Sequence, residues 1–283
     1  MDAAVLQASQ AQRGKPVKRE SVLASQGRQA ESNRMPDRQP LGRTQEPQAG
    51  LETVRVSVRE GYKLWAATYD DNPNPLLALE ERGLCPMLPD LRCKDALDIG
   101  CGTGRWLRAL LDRGARSVVG VDSCAEMIGR ASKKAFLRNR LILADGLALP
   151  LRSRVADVIV CSFTVGHVLN TRVLASELAR VVRPRADVFV TDMHPEAQAR
   201  GWRCAFSRTD QTVEIRTFAH ALEDLRSSFD CEGFKLVKSG EFCLGEPERR
   251  IFWVAGKENI FETARLVRAV LVLHFRLVQS RTG

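Results

Sequence analysis

The sequence lacks several features that would place it in a particular class of protein. It has no run of 18 or more apolar residues, so no membrane-spanning helix is predicted. Its eight cysteines include no Cys-x-x-Cys pair, and its four histidines are scattered without the spacing of metal ligands. We therefore expect reduced, structural thiols, no metal site and a cytoplasmic location.

Dense basic runs with interleaved aromatic residues are also missing, and a solvated surface explains the net charge of +9 better than a nucleic-acid interface does. The first fifty residues contain no Phe, Trp or Tyr but eight Gln, with eight Lys or Arg and five Asp or Glu. Such a stretch buries too little apolar surface to offset the entropy lost on ordering. Asp2, Glu20 and Glu31 interrupt the pattern of a transit peptide. We predict a disordered, basic, Gln-rich tail over 1–50 and a globular domain over 51–283.

Short β-branched runs alternate with helical stretches from residue 118 onward, which is typical of a parallel sheet covered on both faces. We predict strands over 96–99, 117–121, 141–143, 155–161, 187–191, 234–237 and 269–275. We predict helices over 56–67, 105–113, 125–134, 173–182 and 218–229. For the last strand, a helix over 266–278 is the alternative. The predicted fold is α/β, with a Rossmann-like, seven-stranded, mostly parallel sheet and helices on both faces.

A glycine-rich turn lies between the first strand and its helix, in the sequence Leu-Asp-Ile-Gly-Cys-Gly-Thr-Gly over 97–104. Glycines there let backbone amides approach a ligand, and the next helix begins with its N-terminus towards that ligand. A dinucleotide fold would need Gly-x-Gly-x-x-Gly. Arg105 and Leu107 occupy the two positions where the third glycine would fall, so the turn does not match a dinucleotide site.

Two carboxylates follow the turn at the ends of successive strands. Asp122 lies 18 residues after Gly104, where an acidic side chain can accept both hydroxyls of a ribose, although a helix cap is the alternative. Asp145 precedes Gly146 after the third strand and could accept from an adenine amino group, or form a plain turn. The three features in this order favour a nucleoside-containing cofactor.

The block over 62–184 resembles the class I S-adenosylmethionine-dependent methyltransferases, especially ubiquinone-biosynthesis-type C-methyltransferases and small-molecule O- and N-methyltransferases. The likeness rests on 97–104 as the first motif, 121–122 as the second, 144–146 as the third and 177–184 as the helix before strand five. Residues 62–75 resemble the family's upstream Tyr-Asp segment, whose tyrosine commonly sits over the cofactor. The family usually continues Pro-Gly-Gly where this chain has Pro184-Arg185-Ala186, which affects a turn and not the cofactor site.

The resemblance implies S-adenosylmethionine as the cofactor of a methyltransferase domain over 51–283. It places Gly100, Gly102 and Gly104 under the methionine moiety, with Asp98 beside the ammonium group, directly or through water. It also places Asp122 on the ribose, Met127 against the adenine and Asp145 near the adenine amino group. Met127 is equally well explained as helix core. The full predicted set is Tyr69, Asp98, Gly100, Cys101, Gly102, Thr103, Gly104, Asp122, Ser123, Met127, Asp145 and Gly146.

Methyl transfer from a sulfonium needs alignment of the acceptor and, where required, its deprotonation, but no metal. His167 and His194 follow strands four and five, where ligands of open α/β sheets lie, and are the candidate bases; a structural role is the alternative for each.

The predicted acceptor is a small molecule. Enzymes of this fold that methylate base amines typically carry Asn/Asp-Pro-Pro-Tyr after strand four, where this chain has Cys161-Ser162-Phe163-Thr164, and the Pro-Cys of cytosine-C5 enzymes is missing. A protein or nucleic-acid methyltransferase, and a cofactor-binding protein without catalysis, stay open as alternatives. The sequence predicts neither the methylated atom nor the oligomeric state.

Overall fold

The computed structural model describes residues 52–71, 73–208 and 211–278. The tail predicted over 1–50 lies outside these residues. The strands are β1 (Glu52–Val56), β2 (Asp95–Ile99), β3 (Ser117–Asp122), β4 (Leu141–Leu143), β5 (Ala156–Ser162), β6 (Val182–Met193), β7 (Ala205–Ser207), β8 (Gln211–Ile215), β9 (Phe234–Cys243) and β10 (Arg268–Leu277). The helices are α1 (Val58–Trp65), α2 (Pro75–Leu84), α3 (Arg105–Asp112), α4 (Ala125–Ala131), α5 (Thr171–Val181), α6 (Pro195–Ala199), α7 (Leu222–Asp230), α8 (Glu246–Val254) and α9 (Glu258–Ala264).

Seven strands form the main sheet in the order β4-β3-β2-β5-β6-β10-β9. β2 to β6 run parallel, and β10 is antiparallel to both of its neighbours. The seven-stranded, mostly parallel sheet is therefore confirmed. The chain order reverses between β2 and β5, and ligands of open α/β sheets bind beyond the carboxyl ends of strands at such a point.

The buried side chains of the sheet alternate between two apolar layers. Val158 and Val160 of β5 pack in the layer that contains α2 and α3, whereas Ile159 and Cys161 pack in the layer that contains α5 and α7. This alternation follows from the two-residue period of a strand, and burying each such aliphatic side chain contributes about 1.5–3 kcal/mol. Helices on both faces are thereby confirmed.

A second, three-stranded sheet was not predicted. β8 pairs in parallel with β1 and antiparallel with β7, and α1 packs on it through Trp65, which stacks on Phe206 at 4.8 Å between ring centroids. The helix predicted over 56–67 is wrong at its start, because residues 52–56 pair with β8 as a strand. Ser57 then caps α1 by accepting a hydrogen bond from the Glu60 amide at 3.3 Å.

The last part of the chain confirms one prediction and corrects another. Residues 268–277 form a buried strand between β6 and β9, so the strand is correct and the alternative helix over 266–278 is wrong. The helix predicted to start at Phe218 starts at Leu222. The amide of Phe218 donates to the Gly166 carbonyl at 2.7 Å and His220 Nε2 donates to the Val168 carbonyl at 2.9 Å, which holds this stretch extended. Across the three described ranges, no helix has the length and apolarity to span a bilayer.

Candidate cofactor and acceptor site

A cavity of about 330 Å³ lies at the carboxyl ends of β2, β3 and β5, where the chain order reverses. We call it the larger cavity, to distinguish it from an adjoining cavity of about 80 Å³. Eleven of the twelve predicted cofactor residues line it: Tyr69, Asp98, Gly100, Cys101, Gly102, Thr103, Asp122, Ser123, Met127, Asp145 and Gly146. Gly104 and His194 are not part of its wall, whereas His167 is.

The glycine-rich turn presents open backbone to the larger cavity. Gly102 has φ of +53°, and a Cβ added there would have no heavy atom within 4 Å, so the backbone faces space that a ligand can enter. Gly104 also has positive φ, +88°, but its Cβ would lie 2.4 Å from Leu137 Cδ1. Gly104 therefore permits close packing at the start of α3 and does not itself line the site.

Asp122 does not cap α4, whose N-cap is Cys124, but its carboxylate accepts from two backbone amides at the cavity wall. Its Oδ2 accepts from the Gly102 amide at 2.7 Å, and its Oδ1 accepts from the Cys124 amide at 2.8 Å. The carboxylate thus holds the glycine turn against the start of α4. Each oxygen keeps a second lone pair, and because the side chain also lines the larger cavity, those lone pairs are available to ligand hydroxyls. Burial raises the pKa of this carboxyl.

Asp98 supplies a buried carboxyl group, one oxygen of which is unpaired among the described residues. It is 1% exposed, and its Oδ1 has no hydrogen-bond partner among the described residues. Burial raises its pKa to about 8. The neighbouring Arg105 is held by the buried Glu80 and by Ser162 Oγ at 3.2 Å. An orphaned carboxylate oxygen at the wall of the cavity fits a ligand ammonium group, such as that of S-adenosylmethionine.

Met127 and Asp145 also line the larger cavity. Met127 is 1% exposed and packs with Ala66 and Cys124, so it is a core residue of α4 whose side chain also reaches the larger cavity. Asp145 is exposed, and its Oδ1 accepts from the Leu147 amide at 2.9 Å, which is the turn interaction considered from the sequence. Both interpretations of each residue are thus compatible with the structure.

A cluster of polar side chains fastens the segment after α1 to the glycine turn. Asp70 accepts from Thr103 Oγ1 at 2.6 Å and from Lys134 Nζ at 3.0 Å, and Lys134 also donates to the Thr103 carbonyl at 2.7 Å. Tyr69 is thereby fixed at the cavity wall. Sequence reasoning missed Asp70 and Lys134, because their partners lie at least 31 residues away.

A smaller cavity of about 80 Å³ adjoins the larger one. The two cavities share five lining residues: Tyr62, Tyr69, Leu77, Phe163 and His167. Trp65, Trp202, Cys204 and Asp192 also line the smaller cavity, and the two tryptophans add to the rings of Tyr62, Tyr69 and Phe163. None of these four residues was predicted. They come from α1, from the end of β6 and from the loop before β7, which are far apart in the sequence and meet only in the fold.

His167 lies at the boundary between the cavities. Its Nδ1 is 3.2 Å from the Arg216 carbonyl, which can only accept, so Nδ1 carries the proton. Its Nε2 lies 2.8 Å from the Tyr62 hydroxyl and accepts from it. Burial lowers the pKa of His167, so the neutral imidazole is favoured. The Tyr62 hydroxyl was not predicted as a site group.

The structure does not bring His194 together with His167. His194 precedes α6, where its Nδ1 accepts from the Glu196 amide at 3.0 Å and its Nε2 lies 3.7 Å from a Glu241 carboxylate oxygen. It lines neither the larger nor the smaller cavity. Its contacts are those of a helix cap, and Asp192, two residues earlier, is the side chain that lines the smaller cavity.

The chain is similar to known proteins in sequence over part of its length. Residues 97–190 match a family described as a methyltransferase domain. A demethylmenaquinone methyltransferase from Bacillus licheniformis is 31% identical over 97 residues, which cover 33% of this chain and 42% of the relative. In this match and two others, the aligned segment spans less than half of the relative's own length.

Two solved structures have the same fold. An S-adenosylmethionine-dependent methyltransferase from Mesorhizobium loti is 19% identical, with a TM-score of 0.56 over 70% of this chain and 97% of the other. A putative S-adenosylmethionine-dependent methyltransferase from Listeria monocytogenes is 16% identical, with a TM-score of 0.57 over 72% and 100%. Residues 97–190 therefore resemble a methyltransferase domain in sequence, and the fold is that of S-adenosylmethionine-dependent methyltransferases of known structure.

Proposed function

We propose that the chain transfers a methyl group from S-adenosylmethionine, held in the larger cavity, to a small-molecule acceptor held in the smaller one. The observation that carries this proposal is the wall that the two cavities share, formed by Tyr62, Tyr69, Leu77, Phe163 and His167. An in-line displacement requires donor and acceptor to be held next to each other in fixed geometry. Adjoining compartments with a common wall provide such an arrangement.

The residues of the larger cavity fit the cofactor group by group. Asp98 would accept from its ammonium group through Oδ1, and Asp122 would accept from its ribose hydroxyls through the free lone pairs. Met127 would pack on the adenine, with Asp145 at the exocyclic amine. When bound, the cofactor supplies an electrophilic methyl group on a positively charged sulfur.

The smaller cavity supports a small acceptor. Its volume of about 80 Å³ has room for roughly six water molecules, or for a fragment of similar size. The demethylmenaquinone methyltransferase relative acts, by its name, on a small molecule. A small-molecule acceptor and a cytoplasmic location stay predictions for this chain.

His167 is the proposed proton acceptor, acting through Tyr62. Since Nε2 already accepts from the Tyr62 hydroxyl, a proton leaving the acceptor would reach the tyrosine oxygen while the tyrosine proton moves to Nε2. The bond from Nδ1 to the Arg216 carbonyl keeps Nε2 aimed into the site. His194 takes no part in this proposal, because its side chain caps α6.

The proposal is tested by incubating the full chain with methyl-labelled S-adenosylmethionine and panels of small amines, alcohols, phenols and carboxylic acids. We expect S-adenosylhomocysteine to form only when a suitable acceptor is present, and the label to appear in that acceptor. Asp122→Ala should abolish most of this turnover, whereas Asp112→Ala, on the exposed face of α3, is the matched control. Binding of the cofactor without transfer to any class of acceptor would favour a non-catalytic binding protein.

A further inference from the structure

The smaller cavity contains one carboxylate, that of Asp192, whose hydrogen-bond donors are backbone amides. Its Oδ1 accepts from the Met193 amide at 2.7 Å, and the Gly166 amide also donates to the carboxylate. Across residues 52–71, 73–208 and 211–278, Asp192 forms no ion pair. Burial raises its pKa to about 7, which reflects the cost of holding this charge away from water.

The cationic side chains near Asp192 are engaged elsewhere. Arg203 lines the smaller cavity, but it donates to the carbonyls of Gln198 and Trp202, both at 2.8 Å, and lies 4.0 Å from Glu214. Arg105 is paired with Glu80, and His167 is favoured in its neutral form. A partly buried carboxylate at a cavity wall is stabilised by a cation, so the missing partner of Asp192 is one that a ligand can supply.

Aromatic rings from five residues form part of the remaining wall. Tyr62, Trp65, Tyr69, Phe163 and Trp202 all line the smaller cavity. Their positions are fixed by mutual contacts: Trp65 meets Tyr69 edge to face at 4.9 Å, and Tyr62 stacks with Trp65 at 6.1 Å. Aromatic faces attract cations by about 0.5–2 kcal/mol each, most strongly where water is excluded.

We propose that the methyl acceptor is a small amine, which binds as its ammonium ion with an N–H group on the Asp192 carboxylate and its carbon atoms against the aromatic wall. This inference rests on the proposed function and assigns its reaction as N-methylation. A carboxylate acceptor would be repelled by Asp192, and a neutral alcohol would leave the Asp192 carboxylate without a counter-ion.

Groups already in the site can take up the proton that methylation of an ammonium ion releases. The ammonium ion gives one proton to the Tyr62 oxygen, and the tyrosine proton passes to His167 Nε2, so that imidazolium forms. The nitrogen lone pair then forms the N–C bond while the electron pair of the carbon–sulfur bond returns to the sulfur. The product is a methylated ammonium ion that keeps its charge on Asp192, together with a neutral thioether.

Calorimetry on the full chain saturated with S-adenosylhomocysteine tests the proposal without turnover. The probes are methylamine, benzylamine and phenethylamine, with benzyl alcohol and benzoate as neutral and anionic analogues of similar shape. We expect at least one amine to bind at one site and the alcohol and the carboxylate to bind at least tenfold more weakly. Failure of all three amines to bind, or equal or tighter binding of benzoate or benzyl alcohol, would overturn the proposal.

The Asp192→Asn variant supplies the second arm of the experiment. We expect it to weaken amine binding about 100-fold, since a buried charge loses its partner, while S-adenosylhomocysteine affinity stays within about twofold. Asp112→Asn on the exposed face of α3 is the matched control, and thermal unfolding checks that both variants are folded. If Asp192→Asn unfolds, Asp192→Glu, which keeps the charge, must retain amine binding for the proposal to stand.

The outcomes separate this inference from the proposed function. Unchanged amine affinity in a folded Asp192→Asn variant would overturn the amine assignment while leaving methyl transfer in place. Preferential methylation of alcohols, phenols or carboxylates would likewise overturn the amine assignment while leaving methyl transfer in place. If the chain binds no S-adenosylmethionine at all, the proposed function fails first.

Discussion

Replacing Asp98 with Asn should make the protein more stable and less able to bind its cofactor. Asp98 is 1% exposed, and its Oδ1 has no partner among the described residues. Burial raises its pKa from 3.8 to about 8, so without a ligand the folded protein holds this carboxyl in its protonated form at pH 7. The unfolded chain holds the same carboxyl ionised, and folding must therefore take up a proton.

The magnitude follows from this difference in proton binding. Each pH unit between the two pKa values corresponds to 1.36 kcal/mol, so protonating a carboxyl of pKa 3.8 costs about 4 kcal/mol at pH 7 and about 2 kcal/mol at pH 5. Because the folded-state pKa is the higher one, stability falls as the pH rises from about 4 to 8. Asn carries no such cost, so the variant should gain about 4 kcal/mol at pH 7, equivalent to roughly 10 °C in Tm.

Thermal unfolding of the cofactor-free chain at pH 5 and pH 7, combined with titration of S-adenosylmethionine, measures both effects. The gain in stability of Asp98→Asn should be larger at pH 7 than at pH 5, and cofactor affinity should fall at least tenfold because the ammonium group loses its carboxylate. A variant that is less stable than the wild type at both pH values, or that binds the cofactor equally well, would refute this reasoning.

Four further substitutions address the same site and the turn beside it. Asp122→Ala should weaken S-adenosylmethionine binding by about 1–3 kcal/mol in calorimetry, and unchanged binding would remove Asp122 from the site. His167→Ala should slow turnover with cofactor affinity near the wild-type value, whereas a loss confined to cofactor binding would reassign this residue. Gly102→Ala should cost about 1–2 kcal/mol of stability, because residue 102 has a positive φ. It should also weaken cofactor binding, because the added methyl group enters the cavity. Gly104→Ala should instead lose mainly stability, through the clash with Leu137, and equal effects of the two glycine variants on binding would contradict this division.

The part of the site that could be predicted is the part encoded locally. The strand, turn and helix over 95–112 follow from a short apolar run, three glycines and an amphipathic helix, all within one continuous segment. Asp122 follows in the same way, from its position at the end of the next strand. Such signals need no knowledge of distant contacts.

The acceptor side could not be predicted, because distant parts of the chain build it. Tyr62 and His167 are 105 residues apart, and β1 pairs with β8 across more than 150 residues. Asp192 appears in the sequence as one more acidic residue after a strand. Only its burial beside aromatic residues of other elements distinguishes it.

Two features were present in the sequence and were misinterpreted. No helix was predicted over 75–84, yet Asn74 before Pro75 caps α2 by accepting from the Leu76 amide at 2.9 Å. His194 before Pro195 has the same arrangement at the start of α6. Proline is favoured in the first turn of a helix after a capping residue, so both pairs indicated a helix start.

Parallel calorimetric titration of the full chain with S-adenosylmethionine, S-adenosylhomocysteine and NAD tests the central claim most directly. A single site for S-adenosylmethionine and for S-adenosylhomocysteine, weakened by Asp122→Ala and without measurable affinity for NAD, is the predicted result. Binding of NAD in preference to both, or no binding of either sulfur compound, would contradict the assignment of the larger cavity.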